Sequence, residues 1–100
     1  MDITKNEAIQ FLSNANDDKR FFSNDGHVLC NLIELGEYLP EMSAETFKFH
    51  VTDDNNDFGN WVRDVLGDDE LAGQLLKATS QESASKIVKE RIKQLKKKVS

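Results

Sequence analysis

The sequence predicts an all-α or nearly all-α fold, a compact bundle of about six short helices with at most a minimal β-hairpin near residues 21–29. Three observations lead to this fold class. Residues that typically cap helix N-termini stand before short amphipathic segments all along the chain. The apolar residues of those segments recur at steps of three and four, which is the helical period. A single tight-turn signal separates two short apolar pairs.

The first elements follow from caps and from that turn. Thr4 and Glu7 fit a capping box ahead of a helix over about residues 5–14, with Ile9, Phe11 and Leu12 as its apolar residues. Asp25-Gly26 lies between Phe21-Phe22 and Val28-Leu29, which predicts a hairpin of two or three residues per strand. Asn31 begins a helix over about 32–39 that ends before Pro40, because the residue before proline disfavours helical backbone. Its inward residues are predicted to be Leu32, Leu35, Tyr38 and Leu39.

Four more helices are predicted in the second half of the chain. Ser43 caps a helix over about 44–50 that turns Phe47 and either Phe49 or His50 inward. Asp57 is the predicted N-cap of a helix over about 58–66, and Gly67 suits its left-handed closing position. The apolar stripe of that helix is Phe58, Trp61, Val62 and Val65. Asp68 caps a fifth helix, about 69–77, which is predicted to bury Leu71, Ala72 and Leu75, with Leu76 as a further candidate.

The last helix, over about 81–97, begins at a further cap in Thr79-Ser80-Gln81-Glu82 and combines an apolar face with a basic face. The apolar face comprises Ala84, Ile87, Val88, Ile92, Leu95 and Val99. The basic face comprises Lys86, Lys89, Arg91, Lys93, Lys96, Lys97 and Lys98. The bundle and this helix together are expected to form one domain over residues 1–100.

Charge is divided unevenly along the chain. Residues 1–85 carry six basic and seventeen acidic side chains, a net of −11, whereas residues 86–100 carry seven basic and one acidic, a net of +6. Such asymmetry indicates an interaction surface, although attraction between the two parts would also help the last helix to dock. Lysines near a helix C-terminus are also favoured by the helix dipole, whatever their function.

Composition and motifs exclude several functional classes. Cys30 is the only cysteine, so the chain can form no internal disulfide and no cysteine-based zinc site. Asp53, Asn55, Asp57 and Asp64 have part of a calcium-loop spacing, but Phe58 replaces the glycine that such a loop requires. His27 and Cys30 have ligand spacing without further ligands nearby. We therefore expect no metal and no cofactor, and the absence of a secretory signal or membrane span predicts a cytoplasmic protein.

The best candidate for a chemical site is the pair of His50 and Asp57. A carboxylate can orient an imidazole for general-base catalysis or ligand binding, and Trp61 lies on the same segment. No activated nucleophile or glycine-rich phosphate loop accompanies the pair. The sequence therefore favours a structural histidine, hydrogen-bonded near a helix end, over a catalytic pair.

The basic last helix raises nucleic-acid binding as a second alternative. Clustered lysines and arginines contact phosphates, but the basic face lacks aromatic residues for stacking and the rest of the chain is acidic. The helices on either side of Gly67 do not read as a helix-turn-helix, since the second begins with acidic residues. Nucleic acid and membrane surfaces are therefore disfavoured as partners.

A string of motifs in the middle of the chain carries a resemblance to a family. The string is Phe47-Lys48-Phe49-His50-Val51, Asn56-Asp57-Phe58, Trp61-Val62, Asp64-Val65-Leu66-Gly67-Asp68 and Leu71-Ala72. Upstream, Asp25-Gly26, Asn31-Leu32, Glu34-Leu35 and Leu39 fit the same pattern. Over about residues 21–77 the chain resembles an uncharacterised archaeal and bacterial family of small domains of unknown function. The resemblance implies a shared fold and a prokaryotic protein, but no activity. It singles out His50, Asn56, Asp57, Phe58, Trp61 and Asp68.

These observations together predict a non-enzymatic helical protein-interaction or accessory module that binds a protein partner or self-associates. Nucleic-acid binding through the basic helix and a small ligand-binding or catalytic site at His50, Asp57 and Trp61 stay open as alternatives.

Overall fold

Six α-helices and one hairpin follow one another along residues 3–100, the part of the chain that the computed structural model describes. The elements are α1 (Lys5–Leu12), a 3₁₀ turn (Asp17–Lys19), β1 (Phe21–Phe22), β2 (Val28–Leu29), α2 (Leu32–Tyr38), α3 (Ala44–His50), α4 (Asp57–Trp61), α5 (Asp69–Lys77) and α6 (Gln81–Val99). The nearly all-α fold class is confirmed. The predicted domain began at residue 1, and its first two residues lie outside the described part.

Side-chain caps start the helices where the sequence predicted them, with one exception. Thr4 and Glu7 form the full capping box of α1, and Asp68 accepts the Leu71 amide at the start of α5. The prediction that Asp57 caps α4 is wrong, because the Asn56 side chain accepts the Gly59 amide instead. Asp57 is the first residue of that helix, and its carboxylate is left free for a different contact.

After Trp61, the last residue of α4, the helical backbone continues as a π-helical turn over Val62–Leu66. The Gly67 amide donates to the Val62 carbonyl at 2.8 Å, which is the long hydrogen bond of a π turn. Gly67 has a φ of +83°, a left-handed conformation that costs a glycine little. Only Gly67 and Asp68 lie between this turn and α5, and the Asp68 side chain is buried.

The hairpin pairs Phe21 with Leu29 and Phe22 with Val28, two residues per strand. Phe21 and Leu29 point into the core, whereas Phe22 and Val28 form an exposed pair on the outer side. This alternation is what a two-residue period requires of a strand with one covered face.

One hydrophobic core includes side chains from all six helices and from the hairpin. Helix α6 packs on α1, α2 and α5, so it holds the bundle together. All four predicted inward residues of α2 are buried, and α3 turns Phe47 and His50 inward, with Phe49 exposed. Ala8 is the fully buried residue of α1, while Ile9 of that helix and Leu76 of α5 are exposed.

The apolar face of α6 differs from its predicted composition. Ala84, Val88 and Leu95 are buried as expected, but Ile87, Ile92 and Val99 are only half-buried. Ser85 and Arg91 are buried in their place. The helix extends to Val99, two residues beyond the predicted end. No helix within residues 3–100 has the length and apolar character needed to cross a membrane.

Candidate functional site

The structure brings His50 and Asp57 into direct contact, as the sequence predicted. His50 ends α3 and Asp57 begins α4, and the loop between them closes on itself through a bridge of Val51 with Asn56. The imidazole Nδ1 lies 2.9 Å from Asp57 Oδ2, and the side-chain amide of Asn55 donates to Asp57 Oδ1 at 2.6 Å. Both oxygens of this carboxylate therefore have a partner.

The second ring nitrogen of His50 is also occupied. The backbone amide of Asn24, in the hairpin turn, donates to His50 Nε2 at 3.1 Å. An amide can only donate, so Nε2 must present its lone pair and the ring proton must be on Nδ1, donating to Asp57. The contacts thus define a neutral histidine with one tautomer. It joins the end of α3 to the hairpin turn on one side and to the start of α4 on the other.

Aromatic rings surround the imidazole of His50. Phe21 of β1 meets its edge with ring centroids 5.0 Å apart, and Phe58 of α4 lies 5.3 Å away. The same Phe21 stacks on Phe58 at 4.9 Å and meets Trp61 edge-on at 5.7 Å. Phe21 therefore links the histidine to the tryptophan, the two candidates that the sequence placed on separate segments.

Trp61 fills the core and is held by its polar end. Its ring is buried, and its indole N–H donates to the Lys19 carbonyl at 2.8 Å, just before β1. A buried tryptophan normally needs such a partner for its N–H. This bond anchors the 3₁₀ turn to α4, so the role of Trp61 is to fix the hairpin against the helices.

This arrangement does not present the chemistry of a general base. Such a base needs a ring nitrogen within reach of the proton that it removes, and here both nitrogens of His50 are engaged inside the protein. A nearby cavity of about 290 Å³ is formed by residues 51–56 with Leu76, Ala78 and Thr79, so His50 and Asp57 do not contribute to its lining. Among the described residues, no group of three metal-ligating side chains is close enough to hold an ion.

A second polar cluster supports the other end of the hairpin turn. The Tyr38 hydroxyl donates to Asp25 Oδ2, and the ring of His27 stacks on that of Tyr38 at 4.3 Å. Burial acts to raise the pKa of Asp25, but hydrogen bonds from the His27 backbone, the Ser23 hydroxyl and the His27 ring outweigh it. The pKa of Asp25 is therefore lowered, which favours the charged carboxylate that these donors require.

The predicted basic face of α6 needs one correction, at Arg91. Its side chain is only 5% exposed, and it forms a two-pronged ion pair with Asp68, at 2.7 Å from Nε and 2.8 Å from Nη2. Burial alone would lower the pKa of Arg91, but the hydrogen bonds and charge of Asp68, with Glu70 beyond it, raise that pKa above its ordinary value. Arg91 is thus a permanently charged docking group inside the bundle. It belongs to the inward stripe with Ala84, Val88 and Leu95, because it stands three residues after Val88 and four before Leu95.

The remaining basic residues of α6 do form an exposed surface. Its members are Lys86, Lys89, Lys93, Lys96, Lys97 and Lys98. None of them is in an ion pair with any of residues 3–100. Two of them, Lys89 and Lys96, border a groove that the sequence did not predict.

This groove lies between α2 and α6 and has a volume of about 550 Å³. It is lined by Ile33, Gly36, Glu37, Pro40, Glu41, Lys89, Ile92 and Lys96, and we call it the α2–α6 groove. Its floor is apolar, because Ile33 and Ile92 are half-buried and open to it. One rim, from α2 and the turn after it, carries Glu37 and Glu41. The opposite rim, from α6, carries Lys89 and Lys96.

Two features fix the shape of the α2–α6 groove. Gly36 lets the helices approach closely, since a β-carbon there would lie 2.8 Å from the Cδ1 atom of Ile92. The side-chain amide of Gln81 donates to the carbonyls of Leu39 and Met42, which ties the turn after α2 to the start of α6. The sequence does contain a signal for the groove. Ile33, Glu37 and Pro40 follow one another at steps of four and three, and a glycine lies within α2.

Beyond Pro40 and Lys89 the α2–α6 groove continues into a wider recess of about 860 Å³. Met42, Gln81 and Ser85 lie there, and its charged residues are of both signs, with Glu82 and Glu90 beside Lys86 and Lys89. The separation of charge by rim is therefore a property of the groove and not of the recess.

Comparison of the chain with family models, with curated proteins and with solved structures finds no match. The resemblance drawn from the motif string stays a prediction, and the case for function depends on the geometry alone.

Proposed function

We propose that this chain is a non-enzymatic helical protein-interaction module and that its partner binds in the α2–α6 groove. The observation that carries the proposal is the combination of a half-buried apolar floor that opens to the groove with charged rims that have no partner among residues 3–100. Glu37, Glu41, Lys89 and Lys96 make no ion pair and no side-chain hydrogen bond with any of residues 3–100. Recognition surfaces commonly combine an apolar centre with a polar rim of this kind.

The use of the titratable groups supports binding over catalysis. Both ring nitrogens of His50 form hydrogen bonds within the protein, and Arg91 forms an ion pair with Asp68. The groove itself contributes only carboxylates and ammonium groups at its rims, on opposite sides of an apolar floor. Such a surface can orient a partner, but it holds no nucleophile beside a base. The proposal places the module in the cytoplasm, as the sequence predicts.

Nucleic-acid binding is the second candidate, and the exposed lysines of α6 are what favour it. The glutamate rim argues against it, because Glu37 and Glu41 lie directly across the groove from Lys89 and Lys96 and would repel a phosphate backbone. A protein partner can place opposite charges against both rims, whereas a polyanion is attracted only by the lysine rim.

A photo-crosslinking amino acid in place of Lys89 tests the proposed function in the native host. We expect the full-length chain to form a discrete protein adduct from this position, because the side chain at 89 borders the groove. The matched control is the same amino acid at Lys93, which lies on the same helix, is exposed and does not line the groove. A second control replaces Phe22, on the exposed side of the hairpin.

Three outcomes would contradict the groove assignment. They are the absence of any adduct from position 89, equal adducts from positions 89 and 93, and an adduct from position 22 alone. An adduct that disappears on nuclease treatment would transfer support to the nucleic-acid alternative.

A further inference from the structure

We infer that the occupant of the α2–α6 groove is a second copy of this chain, related to the first by a two-fold axis that runs along the groove. The inference rests on the proposed function and goes further by naming the partner. The chemical features follow one another across the groove in the order acidic rim, apolar floor and basic rim.

A two-fold axis along the groove exchanges the two rims between facing copies. It sets the Glu37 and Glu41 rim of one copy opposite the Lys89 and Lys96 rim of the other, and it does so on both sides. The apolar floor, with Ile33 and Ile92, meets its own copy in the middle. A contact of this kind is isologous, since each copy uses the same patch, and closed dimers of this type are the commonest protein assemblies.

The direction of the axis is decided by charge. A two-fold axis lying across the groove would instead place lysines against lysines and glutamates against glutamates, which is repulsive. The surface therefore selects one of the two symmetric face-to-face arrangements. It also disfavours partners that bear a single sign of charge, because one rim would always be mismatched.

The size of the surface sets the expected affinity of the dimer. A contact made by two half-buried isoleucines and a few exposed ion pairs from each copy is smaller than a standard protein–protein interface, so the dimer should be weak and transient. The groove is already shaped by Gly36 and Gln81, so binding needs little rearrangement. We expect a dissociation constant in the range of about 10 µM to about 1 mM that rises with salt, because exposed charges are screened.

The test is sedimentation equilibrium of the purified full-length chain and of two charge-reversed variants. E37K/E41K makes both rims basic, and K89E/K96E makes both rims acidic. Each variant alone should dimerise at least about tenfold more weakly than the natural chain, because attraction across the rims becomes repulsion. An equimolar mixture of the two should recover association as a heterodimer, since all four rims then face an opposite charge.

K93E/K97E is the matched control, because it changes the net charge by the same amount on the same helix without touching the groove. It should dimerise within about threefold of the natural chain, and circular dichroism should show that every variant is folded. A natural chain that remains monomeric at about 1 mM in low salt would overturn the inference, as would a mixture of the two reversed variants that does not associate. A monomeric chain whose position 89 still crosslinks to another protein would leave the proposed function standing.

Discussion

Replacing Arg91 with methionine is expected to lower the free energy of unfolding by about 3–5 kcal/mol. The substitution keeps most of the side-chain volume but leaves the Asp68 carboxylate, which is 1% exposed, without its partner. An uncompensated charge in the core is far more costly than the loss of an exposed ion pair. The loss is a large part of the roughly 5–15 kcal/mol that stabilises most domains, and urea denaturation followed by circular dichroism would measure it.

A second variant distinguishes the cost of the unpaired Asp68 charge from the cost of losing the packing of the Arg91 side chain. D68N/R91M removes the charge while asparagine keeps a side-chain oxygen that can cap α5. We expect this double variant to be more stable than R91M alone. Lys93→Met is the surface control on the same helix and should change the stability by less than about 0.5 kcal/mol. An R91M protein as stable as the K93M protein would show that Arg91 is not buried against Asp68.

Replacing Phe58 with alanine in the natural chain should lower the free energy of unfolding by about 3–5 kcal/mol. The ring of Phe58 is 1% exposed and lies between Phe21 and Phe47, with His50 against it. Its removal leaves a cavity at the point where the hairpin, α3 and α4 meet, and the backbone there is held by the His50 contacts and cannot collapse freely.

The matched comparison for Phe58 is Phe49→Ala, which removes the same ring from a position that is 63% exposed. That change should cost less than about 1 kcal/mol. Thermal and urea unfolding of both variants would measure the difference. Equal losses from the two substitutions would mean that the aromatic cluster does not form the centre of the fold.

Helix boundaries were predictable because they depend on neighbouring residues. Thr4, Ser43 and Asp68 each cap a helix through an amide three residues ahead, which is a local event. The failure at Asp57 is equally local. Both Asn56 and Asp57 can cap a helix. In the structure Asn56 caps α4, and the Asp57 carboxylate accepts from His50 instead.

The role of His50 could not be read from the sequence, although its pairing with Asp57 could. Asp57 follows His50 by seven positions, and the loop between them is short enough to suggest a contact. The contact that decides the role comes from the backbone of Asn24, which is 26 residues away and is placed there by the hairpin turn. Every residue except proline has a backbone amide, so the sequence does not indicate which amide will donate to His50 Nε2. Only the folded structure shows that this nitrogen is occupied.

Arg91 and the groove were missed for different reasons. Arg91 lies on the inward stripe of α6, but a charged residue on such a stripe is ordinarily assigned to the surface, because burial requires a partner that the sequence does not identify. The α2–α6 groove requires two helices about fifty residues apart to pack side by side. Periodicity shows which side of each helix is apolar but not which helices become neighbours.

A nuclear magnetic resonance dilution series tests directly whether two copies of this chain associate through the α2–α6 groove. Backbone amide shifts of the isotope-labelled protein would be followed from about 20 µM to about 1 mM in low salt, a range that brackets a weak interface. We expect concentration-dependent shifts at Ile33, Glu37, Glu41, Lys89 and Ile92, with the His50 and Phe22 amides unchanged. Shifts confined to the hairpin or to the His50 loop, or no shifts at all, would rule out association through the groove.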